Sequence, residues 1–343
     1  MVRRIVLLAG MLAWQAGSET RGIYGSPDSF WKTGARLDDY GINAVFVHAA
    51  SITPELAARV RREGARLYAE FPTLNGKGYV EKHPEAWPID ATGRQAPPAT
   101  WFLGACPTEP GFRAYRMKQL AELLERYPVD GVFMDYLHWH AQFEEPQPVL
   151  PETCFSGTCL REFSRKTGVR IPAGTTAEQA RWILARHDTE WRDWRTSVIA
   201  DWIRDIRAAI QAKRPGIVLG NYQCPWRDEE FGGARRRSLG LDLDLLAPLV
   251  DVMSPMVYHK RMGRPVAWVG DYVAWLARRV GGKPLLWPIV QAHADPEPIP
   301  AAEFSEVLRL GRSGGATGLQ MFTTSAVAKD PAKMKVLRDF YRR

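Results

Sequence analysis

The sequence predicts one α/β domain, a (β/α)8 barrel, and three observations predict it. Short apolar runs alternate with longer amphipathic runs eight times between residue 21 and the C-terminus. No glycine-rich phosphate fingerprint follows the first apolar run, which sets aside an open doubly wound sheet. The connections at one end of the runs are as short as "YG" or "GG", while three at the other end are long, at residues 73–111, 138–175 and 224–240. Strands that alternate with helices pair in parallel through right-handed crossovers. Long loops gathered at one end mark the face of such a barrel that carries its function.

The elements follow in order. "RGIYG" (21–25) leads into "SFWKTGARLDDYG", and "NAVFVHA" (43–49) into "TPELAARVRREG". "ARLYAEF" (65–71) leads through the first long loop, after strand three, into "GFRAYRMKQLAELLERY". "DGVFMDY" (130–136) leads through the second into a long helix, and "IVLGNYQ" (217–223) through the third into "LDLDLLAPLV". "DVMSPMVYH" (251–259), "KPLLWPIVQ" (283–291) and "ATGLQMF" (316–322) each precede a C-terminal amphipathic run. These runs are short and nearly continuous in apolar residues, as strands covered on both faces are. In the helix after strand four, Trp191, Trp194, Val198, Trp202 and Ile206 recur at steps of three and four. That stripe is read as helix-to-sheet packing.

Composition narrows the class. The chain has 343 residues and a formal net charge of +8, with most of the excess spread as arginine over helices. Only "GGARRRSLG" (232–240) is a compact basic cluster, read as a solvated loop or a site for an anionic ligand. No nucleic-acid recognition motif is present, so nucleic acid is not expected as a partner. "MVRRIVLLAGMLAWQAGSET" has signal-peptide order, two arginines before an apolar run. Residues 1–20 are thus a signal peptide or an N-terminal extension, with 21–343 the barrel. Export, secreted or periplasmic, is expected; a docked strand or helix of a cytoplasmic protein is the alternative. No segment reaches membrane-spanning length. Of the four cysteines, Cys106, Cys154, Cys159 and Cys224, the pair in "CFSGTCL" could close a loop disulfide, remain as thiols, or contribute to a metal site.

Polar residues collect where the strands end. "VDGVFMDYLHWH" (129–140) is an apolar strand that runs into Asp135, Tyr136, His138, Trp139 and His140. Tyr24, His48 and Glu70 end strands one to three, and Asn221, Tyr222 and Gln223 end strand five, with Trp226 just beyond. Tyr258 and His259 end strand six, Gln291 and His293 strand seven, and Gln320 lies on strand eight. Amides and carboxylates suit hydroxyl groups, and aromatic rings suit the apolar faces of sugars. Asp130, at the start of its strand, is read as a cap. No HxH ends the first strand and no regular ligand spacing links the histidines, so neither a metal at the mouth nor another cofactor is expected.

At these strand ends the chain resembles the glycoside hydrolase-like (β/α)8 barrels over roughly residues 21–340. "VDGVFMDYLHWH" resembles the fourth-strand motif of glycosidase-like proteins related to bacterial exopolysaccharide hydrolases and, more distantly, of family 18 chitinases. "DVMSPMVYH" resembles their sixth-strand motif. The resemblance implies a carbohydrate substrate and carries Asp135 and Tyr258 over as functional positions. It stops at Leu137, which stands where chitinases place their acid glutamate, so their substrate-assisted mechanism is not implied.

Glycoside hydrolysis ordinarily takes two carboxyl groups, one protonated and one ionised. Asp135 is the first candidate and Glu70, on the neighbouring strand, the expected partner. Glu144, Glu145, Glu229 and Glu230 are loop alternatives. A non-catalytic carbohydrate-binding barrel would keep the aromatics and amides but lack the second carboxylate, and a metal-dependent hydrolase is a further alternative.

Overall fold

The computed structural model describes residues 19–99 and 102–343; of the expected segment 1–20, residues 1–18 lie outside the described residues, whereas Thr20 belongs to the first strand of the barrel. Eight parallel staves close a barrel. β1 (Thr20–Tyr24), β2 (Ala44–His48), β3 (Arg66–Pro72), β4 (Gly131–Asp135), β5 (Val218–Gln223) and β6 (Val252–Val257) pair in chain order. The seventh stave is split into β7 (Leu285–Leu286) and β8 (Ile289–Gln291), and β9 (Gly318–Phe322) returns to β1. Pro288 explains the split, since it has no amide hydrogen for the ladder. Pairing with β6 resumes on its far side at Met256↔Ile289.

The helical layer departs from expectation in three places. The run after β1 gives only the short helix Asp28–Trp31 and a 3-10 turn, Asp38–Tyr40. Gly34, with φ of 83°, breaks it between them. The run after β5 is likewise one short helix, Leu243–Leu246, followed by a 3-10 turn. After β4 the chain forms three helices, Gly157–Thr167, Thr176–Arg186 and Asp188–Lys213. The last of these buries Trp191, Trp194, Val198, Trp202 and Ile206 as the stripe predicts.

Four aromatic rings fill the barrel. Phe46 and Tyr68 stack with centroids 4.7 Å apart, and Phe133 and Trp287 stack at 5.8 Å. Each ring faces a glycine. A Cβ on Gly22 would fall 2.8 Å from Phe46, on Gly131 2.8 Å from Tyr68, on Gly220 2.4 Å from Phe133 and on Gly318 2.7 Å from Trp287. The glycine of the "DG" before β4 therefore makes room for a ring. This plug also fixes the facing of the strands. Side chains alternate, so Tyr24, His48, Glu70, Asp135 and Tyr222 point to the inner side, above the plug.

Below the plug, at the N-terminal ends, the acids are structural. Asp130 Oδ2 accepts the Leu67 N–H at 2.8 Å, the capping role expected of it. Asp251 accepts the Leu219 N–H and receives a two-pronged ion pair from Arg207.

Candidate active site

Above the plug the inward residues open into a cleft of about 550 Å3, lined by Tyr24, Asp135, Tyr136, Glu144, Glu145, Tyr222, Met256, Tyr258, Arg261, Asp295 and Phe322. A smaller recess, lined in part by Phe102, His138 and Phe143, shares Asp135, Tyr136, Glu144 and Met256 with it. The cleft lies at the C-terminal ends of the strands; the long loops after β3 and β4 contribute to the walls of the cleft and its recess, and the third long loop, 224–240, contributes no lining residue.

Asp135 sits at the junction of the two cavities. The next residue, Tyr136, has φ of 52°, a conformation that costs a non-glycine residue free energy and concentrates at functional sites. The turn brings the Tyr136 amide back onto Asp135, whose Oδ1 accepts it at 2.8 Å. It also stacks the Tyr136 ring on Phe102, centroids 5.1 Å apart. Burial, and then the negative charge of Glu144, push the Asp135 carboxyl up to about 7, against the pull of the Tyr136 amide.

Glu70 lies one layer lower. In the β3–β4 register Asp135 is opposite Pro72, whereas Glu70 is opposite Phe133. Two residues of strand correspond to roughly 6.6 Å. Glu70 is accordingly only 1 % exposed and does not line the cleft. Tyr24 covers it and donates its hydroxyl to Glu70 Oε2 at 3.3 Å, while Oε1 has no hydrogen-bond partner. Burial and then the Asp135 charge hold its carboxyl well above the usual range. Glu70 faces the inner side, but it does not share the pocket of Asp135, and its expected role as the partner carboxylate is not supported, because the substrate would have to pass Tyr24.

Glu144 takes that place. The loop after β4 brings it to both cavities beside Asp135. Arg261 lies 3.6 Å from Glu144, 3.8 Å from Glu145 and 3.2 Å from Asp295. Burial raises the Glu144 carboxyl, Arg261 opposes this and Glu145 adds to it. Asp135, Glu70 and Glu144 thus compete for protons as one cluster. The other loop alternatives are elsewhere: Glu230 pairs with Arg264, and Glu229 does not line the cleft.

Tyr24, Tyr222 and Tyr258 line the cleft with Phe322, forming a chain of rings with centroids 4.9–5.9 Å apart. Tyr222 donates to Gln320 Oε1 at 3.0 Å, and Gln320 donates to Ser254 at 2.7 Å, a polar floor inside the barrel. His138 lines the recess; burial pushes it down to about 4. The neutral ring donates Nδ1–H to the Trp139 carbonyl at 2.8 Å, which leaves Nε2 as an acceptor. His293 packs edge-on against Tyr258 and Phe322. His48 is at the rim, 3.9 Å from Glu70, and burial keeps its pKa low, so the contact is not an ion pair at neutral pH.

Five expected ligand residues are buried outside the cleft lining. Asn221 alternates with Tyr222 and so points to the helices, fully buried. Trp139 is fully buried against Trp194 and donates to the Arg195 carbonyl. Trp226 is fully buried against Phe143 and Phe231. His259 turns away from Tyr258 to Glu303, at 2.8 Å. Gln291 is buried as well; it accepts the Arg261 amide and donates to the Asp295 carbonyl, which ties together the two loops that carry these cleft residues. The basic cluster is partly solvated, as one reading expected, and its arginines face acids of the chain itself; only Arg235 is buried. Arg235 pairs with Asp228, Arg236 with Asp193 and Asp242, and Arg237 lies 3.8 Å from Glu152. Sequence reasoning placed Tyr136 at the strand end without giving it a role, and missed Met256, Arg261, Asp295 and Phe322 as cleft residues. The inward alternation of β6 and β9 could have found Met256 and Phe322.

No protein-family model matches the chain, and no curated protein matches its sequence. Solved structures do match its fold. The glycoside hydrolase domain of PgaB (BpsB) from Bordetella bronchiseptica superposes with a TM-score of 0.72 at 16% identity, over 94% of this chain and 99% of that one. The fold is that of glycoside hydrolase barrels. A β-galactosidase from Bacillus circulans sp. alkalophilus gives a TM-score of 0.63 at 14% identity, covering 89% of this chain and 50% of its own. An α-L-fucosidase isoenzyme from Paenibacillus thiaminolyticus gives 0.58 at 14%, covering 95% and 49%. The chain therefore spans about half the length of those two enzymes and nearly all of the PgaB domain.

Proposed function

We propose that the chain is a glycoside hydrolase that cleaves an O-glycosidic bond of an oligo- or polysaccharide in this cleft, with Asp135 as general acid and Glu144 as the second carboxylate. The observation that carries the reading is the Asp135 carboxyl. It stands at the end of β4 on the open cleft, and burial beside Glu144 poises it near neutral pH. A general acid works best with a pKa near the working pH. The activities named for the structurally similar proteins support the same class.

The chemistry follows from the two environments. Asp135 gives its proton to the leaving oxygen as the glycosidic C–O bond breaks. Glu144, beside Arg261, acts in its ionised form on the sugar carbon where positive charge develops, as base toward water or as nucleophile. Tyr24, Tyr222, Tyr258 and Phe322 offer apolar surface to sugar rings. Asp135, Glu144, Glu145 and Asp295 outnumber Arg261 along the lining, which disfavours polyanionic glycans.

The test is release of reducing ends from a panel of neutral oligo- and polysaccharides by the wild-type chain, Asp135→Asn and Glu144→Gln. Cleavage by the wild type and its loss in both variants is expected. Binding of a glycan with no cleavage of any panel member would replace this reading with a carbohydrate-binding barrel.

A further inference from the structure

Away from the cleft, three cysteines converge from two loops. Cys106 belongs to the loop after β3, Cys154 and Cys159 to the segment after β4, and all three are completely buried. Their sulfur atoms all lie within 4.8 Å of one another, with Cys106 and Cys159 at 3.4 Å. Thiolates bound to one zinc at about 2.3 Å stand roughly 3.8 Å apart, inside that range. The close pair expected from "CFSGTCL" is thus part of a triad whose third member is more than forty residues upstream.

Hydrogen-bond donors and hydroxyl groups surround the three sulfurs. The Ile89 N–H donates to Cys154 Sγ at 3.3 Å. The Thr108 hydroxyl lies 3.1 Å from Cys159 Sγ and 3.4 Å from Cys106 Sγ, and the Ser156 hydroxyl lies 3.5 Å from Cys106 Sγ. Cys159 stands in the first turn of Gly157–Thr167, a helix capped by Ser156, where the helix dipole favours negative charge. Arg195, fully buried, is near enough to Cys154 and Cys159 to feel their charge. Three thiolates around a divalent cation leave one net negative charge, and this guanidinium offsets it.

We propose that Cys106, Cys154 and Cys159 form a buried three-thiolate site for a soft d10 cation, Zn2+ or Cu+. Soft thiolate sets select these ions. Three sulfurs satisfy Cu+, and the Thr108 hydroxyl stands beside two of them to complete a zinc shell. Loading forms three metal–sulfur bonds and releases three thiol protons, with no change of oxidation state. The site ties the β3 loop, which carries Phe102, to the β4 loop, which carries Glu144. It fastens the two walls of the cleft to each other without touching the cleft, and it does not depend on what the cleft does.

Elemental analysis of the full chain, purified without chelator, decides it. About one equivalent of zinc or copper per chain is expected, and which metal is found separates the two ions. Cys159→Ser should lose the metal and Cys224→Ser should keep it, because Cys224 lies outside the triad. Should Cys159→Ser fail to fold, two measurements on the wild type remain. Co2+ supplied to the metal-free chain should give thiolate-to-cobalt charge-transfer absorption, and Zn2+ should protect three of the four cysteines from alkylation. An intact mass two hydrogens below that of the reduced chain, with two cysteines refusing alkylation until reduced, would show a disulfide and overturn the site. Four alkylatable thiols and no uptake of Zn2+, Cu+ or Co2+ would overturn it equally.

Discussion

Asp130 and Asp135 stand at opposite ends of β4 and are treated in opposite ways. The Asp130 carboxylate accepts a neighbouring strand's amide, and two strands further round the barrel Asp251 is held by an amide and an arginine. Asp135 is given one amide, from the residue beside it, and the negative charge of Glu144. Under the aromatic plug, acids are paired in ways that hold strands in register. Above it they are crowded with other acids and partly deprived of donors, at a cost in stability that a purely structural site would not carry. In barrels of this kind the lower face serves stability and the upper face chemistry. Here the division falls within one strand.

The sharpest way to break this comparison is at Asp135. Asp135→Asn should lower glycosidase turnover by at least about 100-fold, with the unfolding midpoint in urea unchanged or raised, since a destabilised acid is removed. Turnover within tenfold of wild type would take Asp135 out of the catalytic role. Glu144→Gln should lose roughly 100-fold as well. It should also move the Asp135 titration, followed by NMR, to lower pH, because the charge that raises it is gone. A loss of turnover with no such movement would mean that the two carboxylates do not interact.

At the lower face the expectation reverses. Asp130→Ala leaves the Leu67 amide without its acceptor and should cost about 1–3 kcal/mol in denaturant unfolding. The kcat should stay near the wild-type value where the variant is folded. A large fall in kcat with intact stability would dissolve the distinction between the two ends of β4.

What could be read in the sequence follows the same boundary. Strand alternation and apolar continuity are local and periodic. They placed Asp135, Tyr24, Tyr222 and Tyr258 at the mouth and Glu70 on the inner side. The same alternation, applied to "GNYQ", would have turned Asn221 outward. The depth of Glu70 was not legible, because the β3–β4 register depends on where the chain re-enters the barrel after a loop-and-helix connection of nearly sixty residues. Trp139 and Trp226 are apolar residues in loops, and only tertiary packing decides whether such a ring meets solvent or core. Arg261 and Asp295 reach the cleft by loop conformations that leave no period in the sequence. Cys106 joined Cys154 and Cys159 for the same reason: the contact bridges two loops and has no spacing rule.

The smallest expected effect is at Glu70, and it tests the upper face by sign. Burial beside Asp135 raises its folded-state pKa, while an unfolded glutamate titrates near about 4.3. Between those two values the native chain binds more protons than the unfolded one, so stability falls as pH rises. The contribution is complete below the unfolded value and is lost progressively up to the folded one. Asp135 adds a loss of the same sign between about 3.9 and its own value of about 7. Glu70→Gln puts a neutral group where the native state already prefers one. At pH 5 the variant should unfold within about 1 kcal/mol of wild type. At pH 8 it should gain on wild type, since only the wild type has a carboxyl at this position whose raised folded-state pKa costs stability as pH rises. Urea unfolding of both chains at the two pH values checks this. A variant that loses more stability at pH 8 than at pH 5 would mean that Glu70 is ionised and well paired in the native state, and the mouth would then treat its acids as the lower face does.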